Sequence, residues 1–473
     1  MSLFDTIYSN IAQRVVEQLA SRMVGDSNKH ILDARRYRMG VHPAQLKVKA
    51  GQFDDNLTMN FAGLVVARGV SQLLGRGVSF DFEGEDETAQ EIYVNAVLNA
   101  NKQEILFHRA ALAAGEAGTG YLFIIPEGVV GADGQTYPRL TVVDPLFVTM
   151  DTLPEDHEIV WRYTIQYTYV GADGKERARK REITHDAPHA MEDGTLEGGN
   201  TWTITDWESG DAFGGKWVQV GEQLWPYDFA PMVHWQNLPA IGAPYGESDI
   251  PPDVLRLQDR LNFSASNLSK IVRLYAHPMR YGTLLGNLSE MKAGPDDMPN
   301  FSDPNAKITQ LPPEGDLAAA LDVFRVQRQA FFDVTRTVDI DSMADKLGAL
   351  TNFGLRVLYQ DNLAKVGTKR ELFGDALEEL IRRLQVMAGL EPIAVRSVWP
   401  DFLPEDEVGR ATYEQTLVDM RVKSRKTAAE DLGLDWEQEQ ERMDGERAGE
   451  DNIGAAILRA FENDQNATAG VER

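Results

Sequence analysis

The 473-residue chain contains no cysteine. This absence excludes disulfide bonds, zinc sites with cysteine ligands, iron–sulfur clusters and a thiol nucleophile. The fold must therefore be stabilised by packing or by assembly with other chains.

Long hydrophobic runs are also absent. The stretch Tyr121–Ile125 is typical of the longest apolar runs, and a membrane-spanning helix needs about 20 apolar residues. Near the N-terminus, Arg14, Glu17 and Arg22 interrupt the apolar residues, and no small-residue cleavage site follows. The sequence predicts a soluble protein with no membrane contact and no secretory signal.

Basic residues are scarce relative to acidic ones. The chain has 47 Lys and Arg against 73 Asp and Glu, which gives a net charge of −26. Proteins that bind nucleic acid over a broad face normally carry a basic surface, so any contact with DNA must be local or weak. A hydrophobic content of 43% and 8 Trp exclude a wholly disordered chain, and the length indicates two or three domains.

Catalytic and cofactor motifs are missing as well. There is no GxxxxGK[ST] phosphate loop and no GxSxG nucleophile elbow. The glycines of Gly115–Gly120 have the wrong spacing for dinucleotide binding and favour a packing or turn role. His185 and His189 have a zinc-like spacing, but Pro188 between them favours a surface loop. We expect no cofactor, no metal site and no enzymatic activity.

Two clusters of charged residues each allow two interpretations. Asp339, Asp341 and Asp345 could gather a divalent cation, although solvated charges are the more ordinary interpretation. The basic run between Lys175 and Arg181 favours the solvated face of a hairpin; a contact with an acidic neighbouring subunit or with phosphate is the alternative.

The distribution of proline and of apolar residues predicts an α+β protein. Ile7, Ile11 and Val15 indicate an N-terminal helix, and a further helix is predicted near 87–116. Residues 117–240 predict an antiparallel β meander. Its clearest strand runs through the alternating residues 159–169, and Asp-Gly turns lie at 133–134 and 173–174.

Two helical rods flank a proline-rich insert in the second half of the chain. Ser248 is predicted to cap the first rod, which has Pro251 and Pro252 in its first turn and has room to extend about 37 Å. After the second rod, residues 334–348 break the helical periodicity. A helix is then predicted from Phe353 to Met387, with glycines at 354, 367 and 374 as possible bends, followed by an acidic tail.

This order of parts resembles the siphophage-type portal proteins of tailed double-stranded DNA bacteriophages. Each stretch that carries the resemblance is short, and their collinear order is the specific feature. The stretches are Thr58–Asn60, Val65-Val66, Leu73–Phe80, Gly246–Ile250, Leu257–Asn262, His277–Gly282, Leu347–Leu350, Trp399–Pro404 and Ser424–Glu441. Leu347–Leu350 departs from the family pattern, because the serine of that motif is replaced and the spacing is altered.

The resemblance implies the α+β portal architecture, with seven regions along the chain. A helical N-terminus and the β meander form the wing region, 1–246, followed by a first stem helix, 247–277. The clip, 278–315, precedes a second stem helix, 316–334, and a tunnel loop, 335–352. A long wing helix, 353–400, and a crown with the acidic C-terminal tail, 401–473, complete the subunit.

The resemblance also implies a function and a set of candidate residues. The subunits form a homo-oligomeric ring, usually of twelve copies, at one capsid vertex of the virion. Double-stranded DNA passes through the ring, the clip meets the terminase large subunit and then the head–tail adaptor, and major capsid and scaffolding proteins are further partners. The candidate channel residues are Arg336, Asp339, Asp341, Asp345 and Lys346; the stem residues are Asp253, Arg256, Arg260, Lys270, Arg325 and Arg328; the clip residues are Arg280, Lys292, Asp296, Asp303 and Lys307.

Two other functions remain open from the sequence. One is a different head or tail connector that also acts as a structural oligomer. The other is a hydrolase with paired carboxylates in the β region, since such enzymes need two carboxylates roughly 5–10 Å apart. A ring would separate the portal from an enzyme, and a DNA-width axial hole would separate it from other connectors.

Overall fold

The structure is a computed structural model of the chain. The chain forms two compact units, Met1–Phe402 and Leu403–Arg473. The residues described are 28–49, 53–84, 88–171, 173–186, 189–190, 196–197, 200–210, 215–276, 280–283, 305, 307–310, 317–339, 352–400, 407–434, 436–440 and 442–443.

Four helices form the first part of the larger unit: α1 (Lys29–Arg38), α2 (Phe61–Leu74), α3 (Ala89–Ala100) and α4 (Gln103–Ala117). The single helix predicted near 87–116 is wrong, because it is two helices. The side chain of Asn101 accepts a hydrogen bond from Leu140 N and donates to Pro138 O, and Lys102 has a positive φ of 54°. The helix predicted around Ile7–Val15 lies outside the described residues.

The β region contains two larger antiparallel sheets instead of one meander. Three strands form the first sheet, in the order β11-β2-β3, and five form the second, in the order β10-β9-β6-β5-β4; a small hairpin pairs β7 with β8. The strands are β2 (Thr119–Val130), β3 (Thr136–Val142), β4 (Val148–Thr152), β5 (Val160–Val170), β6 (Glu176–Asp186), β7 (His189–Ala190), β8 (Leu196–Glu197), β9 (Thr201–Ser209), β10 (Trp217–Trp225) and β11 (Met232–Gln236).

Both Asp-Gly turns are confirmed. Gly134 and Gly174 close the β2–β3 and β5–β6 hairpins with φ of 79° and 74°, a backbone region that favours glycine. The strand predicted over 159–169 is also confirmed as β5. What the pattern missed is the pairing of β11 with β2, which are separated along the chain by the whole five-stranded sheet.

Two long helices and two short strands follow. They are α5 (Pro252–Ala276), β12 (Arg280–Thr283), β13 (Lys307–Gln310) and α6 (Leu317–Val334); β12 and β13 pair antiparallel. The predicted cap Ser248 is wrong. Its hydroxyl donates to the carbonyl of Glu116 and accepts from Ile250 N, and the helix begins four residues later, at Pro252.

The predicted long helix is interrupted. It consists of α7 (Asn352–Leu358) and α8 (Gln360–Met387), with the break at Tyr359 and not at a glycine. Beyond α8, the segment 353–400 also contains strand β14 (Val395–Val398), which pairs with β1 (Ser79–Phe82). The C-terminal unit contains α9 (Glu407–Asp419) and α10 (Arg425–Asp431), where Lys423 forms ion pairs with Glu414 and Asp431.

The three largest of four hydrophobic clusters among the described residues join the elements of the larger unit. One packs α2, α3, α4 and α8 against the three-stranded sheet around Phe107 and Phe373. The second lies between the two sheets around Tyr163 and Trp225, and the third joins α2, α5 and α6 around Phe331. The mixed helix-and-sheet class is confirmed. None of the described helices is long and apolar enough to cross a membrane.

Candidate functional site: a helical pair and its connecting loop

Helices α5 and α6 pack against each other. Val254 and Leu261 of α5 pack with Phe331 and Phe332 of α6 in the third hydrophobic cluster. Further along, Ser264 Oγ donates to Gln327 Oε1 at 2.7 Å. The pair is therefore anchored in the core at one end, near residue 254 of α5 and residue 332 of α6.

A ladder of buried polar side chains fixes the orientation of α5. Gln258, Asn262 and Ser266 are four residues apart, so they lie on one face of the helix. They bond the backbone of residues 57–62, which lead into the first turn of α2: Gln258 Oε1 accepts from Ala62 N at 2.9 Å, Asn262 Oδ1 from Met59 N at 2.9 Å and Ser266 Oγ from Leu57 N at 2.9 Å. Two of the motifs behind the portal resemblance, Thr58–Asn60 and Leu257–Asn262, are thus in direct contact.

A buried charged cluster lies where the chain enters α5. The carboxylate of Asp249 is fully buried and contacts Lys365 Nζ at 2.9 Å and Lys369 Nζ at 2.6 Å, both from α8. A Cβ at Gly115 would lie 2.9 Å from Asp249 Oδ2, so glycine leaves the room that this carboxylate needs. We name Asp249, Lys365 and Lys369 the charged triad.

The two lysines favour the ionised form of the Asp249 carboxyl in spite of its burial. Burial raises the pKa of the Asp249 carboxyl, but the charges of Lys369 and Lys365 outweigh this effect and hold the pKa below its usual value. Burial lowers the pKa of the Lys369 ammonium, and Asp249 opposes that shift. An ion pair this dry depends on each partner, because the loss of one leaves an uncompensated charge.

The described start of the predicted tunnel loop, 335–339, is held by donors from two helices. Lys365 Nζ donates to Thr335 O at 3.1 Å and Asn362 Nδ2 to Arg336 O at 2.8 Å, both from α8. Arg68 Nη1 of α2 donates to Val338 O at 2.9 Å. Lys365 belongs both to the triad and to this set, so the start of the loop and the entrance to α5 are joined through one side chain.

The five candidate channel residues do not share one environment. Arg336 has a positive φ of 52° and an exposed side chain. Asp339 is mostly buried and accepts a hydrogen bond from Arg328 Nη2 at 2.7 Å. Asp341, Asp345 and Lys346 lie outside the described residues, and the described residues contain no cluster able to hold a metal ion.

Most of the stem candidates are exposed. Asp253, Arg256, Arg260 and Lys270 are exposed on α5, and Arg325 is exposed on α6. Arg328 differs, because its guanidinium lies 5.7 Å from the ring centres of Phe61 and Phe332 as well as binding Asp339. Of the clip candidates, Lys307 is exposed on β13 and Arg280 lies on β12; Lys292, Asp296 and Asp303 lie outside the described residues.

One face of α6 is apolar and open to solvent. Val323, Val326 and Val334 are 53%, 67% and 51% exposed, and Ala319 and Ala330 complete the same stripe at helical spacing. Apolar stripes of this kind on a helix usually pack against another surface. We name these five residues the α6 stripe.

The other sequence candidates have structural roles. His185 lies on β6, stacks on Trp202 at 4.8 Å and contacts Asn200 Oδ1, and His189 lies on β7, so the predicted loop is wrong for both histidines. Gly118 has a φ of 94°, and a Cβ there would lie 2.3 Å from Gly246 O, which confirms the packing role of that glycine run.

The three arginines of the basic run form ion pairs within their own hairpin and sheet. Arg181 binds Asp206 through two nitrogens, Arg179 also contacts Asp206, and Arg177 binds Asp173 at 3.0 Å. The arginines lie on the predicted hairpin and remain 34–40% exposed, and ion pairs on this face add to the predicted solvation. The same contacts occupy Asp206 and Asp173, two acids of the β region in which a carboxylate pair was considered.

Neither the triad nor the polar ladder was predicted from the sequence. Asp249 lies inside a quoted motif, and Gln258 and Asn262 lie inside another, but no role was assigned to them. The sequence did contain a signal for these buried polar residues, because they recur at helical spacing within a stripe that is otherwise apolar. On α8, for example, Lys365 and Lys369 share one buried stripe with Phe373.

Comparisons with known proteins give a structural likeness only. No family model matches the chain, and no curated protein matches it. Among solved structures, a chain of "Neck of empty GTA particle computed with C6 symmetry" is similar over 85% of this chain and 93% of its own length, with 12% identity and a TM-score of 0.46.

Proposed function

We propose that the chain is a portal-type subunit that assembles into a ring at a capsid vertex and forms a conduit for double-stranded DNA. The observation that carries the proposal is the α5–α6 pair: two long helices anchored in the core at one end, with short paired strands between them in the chain and an exposed apolar stripe on α6. A second copy of the helical pair is the surface that such a stripe suits.

The negative net charge of the chain supports a role as a DNA conduit. DNA carries one negative charge per about 1.7 Å of its axis, and each phosphate that a protein neutralises adds to its affinity. Twelve copies of a chain at −26 carry about −312 in total, which opposes tight binding of the duplex. Arg336, exposed at the start of the loop, offers an isolated and therefore weak phosphate contact.

The same proposal includes the partners and the absence of catalysis. The clip region would meet the terminase large subunit during packaging and the head–tail adaptor afterwards, and the ring would contact major capsid and scaffolding proteins in the virion. The packaging motor would be a separate protein, so the chain itself would not be an enzyme.

The test is the mass of the purified protein by light scattering, with negative-stain images of the same peak. Twelve copies of 52.7 kDa predict about 632 kDa and a ring with an axial hole in top views. A protein that stays monomeric even when produced together with its capsid and scaffolding proteins would contradict the proposal.

A matched pair of variants tests the role of the α6 stripe. Val326 and Val130 are both valines, 67% and 66% exposed, but Val130 ends strand β2, away from α6. We expect Val326→Asp to prevent ring formation and Val130→Asp to leave it intact. If the two variants form rings equally well, or both fail to form them, the α6 stripe is not shown to be part of the interface, and this part of the proposal is wrong.

A further inference from the structure

Helix α5 presents three faces with three different environments. One face packs on α6 through Val254 and Leu261, and a second carries the polar ladder that bonds residues 57–62. The third face is open to solvent, and its side chains recur at helical spacing. We name its three cations, which are all exposed, the α5 basic face: Arg256, Arg260 and Lys270.

The other charged side chains between residues 254 and 276 have partners elsewhere. Asp259, the one acid of this stretch, accepts hydrogen bonds from Tyr37 Oη at 2.7 Å and Gln45 Nε2 at 3.1 Å. Arg273 binds Asp55 at 2.6 Å on the side of the polar ladder. The three cations of the α5 basic face form no ion pair with another described residue.

The α5 basic face is long and its cations are widely spaced. Arg256 and Lys270 are fourteen residues apart, which places them about 21 Å apart along the helix. Phe263 and Asn267 lie on the same face between the cations, and the guanidinium of Arg260 is 5.2 Å from the ring centre of Phe263. In a chain with a net charge of −26, three unpaired cations on one helix face are a local exception.

We propose that the α5 basic face contacts the phosphates of double-stranded DNA inside the ring, so that this face of α5 lines the conduit. The inference rests on the proposed function and names the surface of the subunit that meets the DNA. Cations that carry no carboxylate partner are complementary in charge to a duplex, whose backbone is uniformly negative.

A second copy of the chain suits this face less well than DNA does. The cores of protein interfaces are depleted of charged residues, and burying a cation against another protein is costly unless a carboxylate meets it. The α6 stripe has the apolar composition that such a core needs. Because the two surfaces lie on different helices, one subunit can present the α6 stripe to its neighbour and the α5 basic face to DNA.

The spacing of the cations keeps the contact weak. A duplex carries one charge per about 1.7 Å of axis, so a length of about 21 Å carries about 12 charges. The three cations of one subunit can neutralise about a quarter of them. A duplex that must slide through the ring requires contacts of this kind, since tight binding would hold it in place.

The test compares rings of the native chain with rings of the triple variant Arg256→Gln, Arg260→Gln and Lys270→Gln. The probe is a fluorescein-labelled duplex of about 30 base pairs, and fluorescence anisotropy measures its binding between about 20 and 200 mM salt. Each phosphate contact contributes about 0.9 to the slope of log K against log salt concentration. We expect the triple variant to lose about 2.7 of this slope and to bind the duplex at least about tenfold more weakly at the lowest salt.

A matched control removes the same charges from other elements. The triple variant Arg76→Gln, Arg109→Gln and Lys175→Gln also loses two arginines and one lysine, all of them exposed and none on α5. It should keep the salt slope of the native ring. Light scattering should show that both triple variants form rings as the native chain does.

The absence of native cysteine allows a second measurement on the face itself. Asn267→Cys places one thiol between Arg260 and Lys270 and keeps all three cations. The duplex should slow the labelling of this thiol by a maleimide. Lys175→Cys, on the β5–β6 hairpin, should be labelled at the same rate with and without the duplex.

The outcomes separate this inference from the proposed function. If the α5 variant forms no ring and the control does, the face binds a neighbouring copy and the phosphate contact is overturned. Native rings that bind no duplex, or equal salt slopes in the two triple variants, would also overturn it and leave the ring proposal standing. A native chain that forms no oligomer when produced with its capsid proteins would overturn both.

Discussion

The charged triad makes the sharpest prediction about stability, through the substitution Asp249→Ala. Asp249 is fully buried, and its two lysine partners are 8% and 4% exposed. Removing the carboxylate leaves two buried ammonium groups without a counter-charge. Loss of one partner from a buried ion pair typically costs about 3–5 kcal/mol of unfolding free energy.

The cost should depend on pH, because Lys369 can escape it by losing its proton. With an unfolded pKa of about 10.4, deprotonating one lysine costs about 4.6 kcal/mol at pH 7 and about 1.9 kcal/mol at pH 9. The folded variant then binds fewer protons than the unfolded chain, so its stability rises with pH over this range. We expect Asp249→Ala to lose about 3–5 kcal/mol at pH 7 and distinctly less at pH 9.

Urea unfolding at the two pH values, followed by tryptophan fluorescence, measures this difference. Asp151→Ala is the control, because the Asp151 side chain is 42% exposed and its partner Arg162 is 37% exposed. A pair this accessible should contribute about 1 kcal/mol or less, with no rise between pH 7 and pH 9. If Asp249→Ala costs no more than the control, or the same at both pH values, the triad is not a dry ion pair.

Three further predictions follow from single contacts. Asn262→Ala should cost about 1–3 kcal/mol, because Met59 N–H is left without an acceptor, and urea unfolding measures it. Gly118→Ala should lower the melting temperature more than Gly134→Ala, because both have positive φ but only a Cβ at Gly118 would meet backbone, at 2.3 Å. Burial lowers the pKa of His234 to about 4, so the stability that its neutral form supplies should be present above pH 6.5 and lost as the pH falls towards 4.

Each of these has an outcome that contradicts it. An Asn262→Ala variant as stable as Ser269→Ala, an exposed change on the same helix, would show that the polar ladder is not needed. Equal melting of the two glycine variants would show that the Gly118–Gly246 approach relaxes at no cost. For His234, the pH profile of His234→Phe should be flatter between pH 4 and 6.5, and an unchanged profile would refute the assignment.

Local patterns were sufficient for much of the element structure. The alternation in β5, the Asp-Gly turns at Gly134 and Gly174, and the existence of the helices α5 and α6 depend on neighbours within a few residues, and all of them are seen in the structure. Element ends were less predictable. The break at Lys102 depends on Asn101 binding strand β3, and Ser248 binds the end of α4 instead of capping α5.

The sequence by itself determined two things. The absence of cysteine excludes disulfide bonds, and the hydrophobic periodicities predict two helical rods after a β-rich region. The tertiary structure alone decided the site. Lys369 is 120 residues from Asp249 in the chain, and Met59 is 203 residues from Asn262. Helical spacing can mark such a polar side chain but not its distant partner, because the energy of the pair comes from burial and from a partner that only the complete fold supplies.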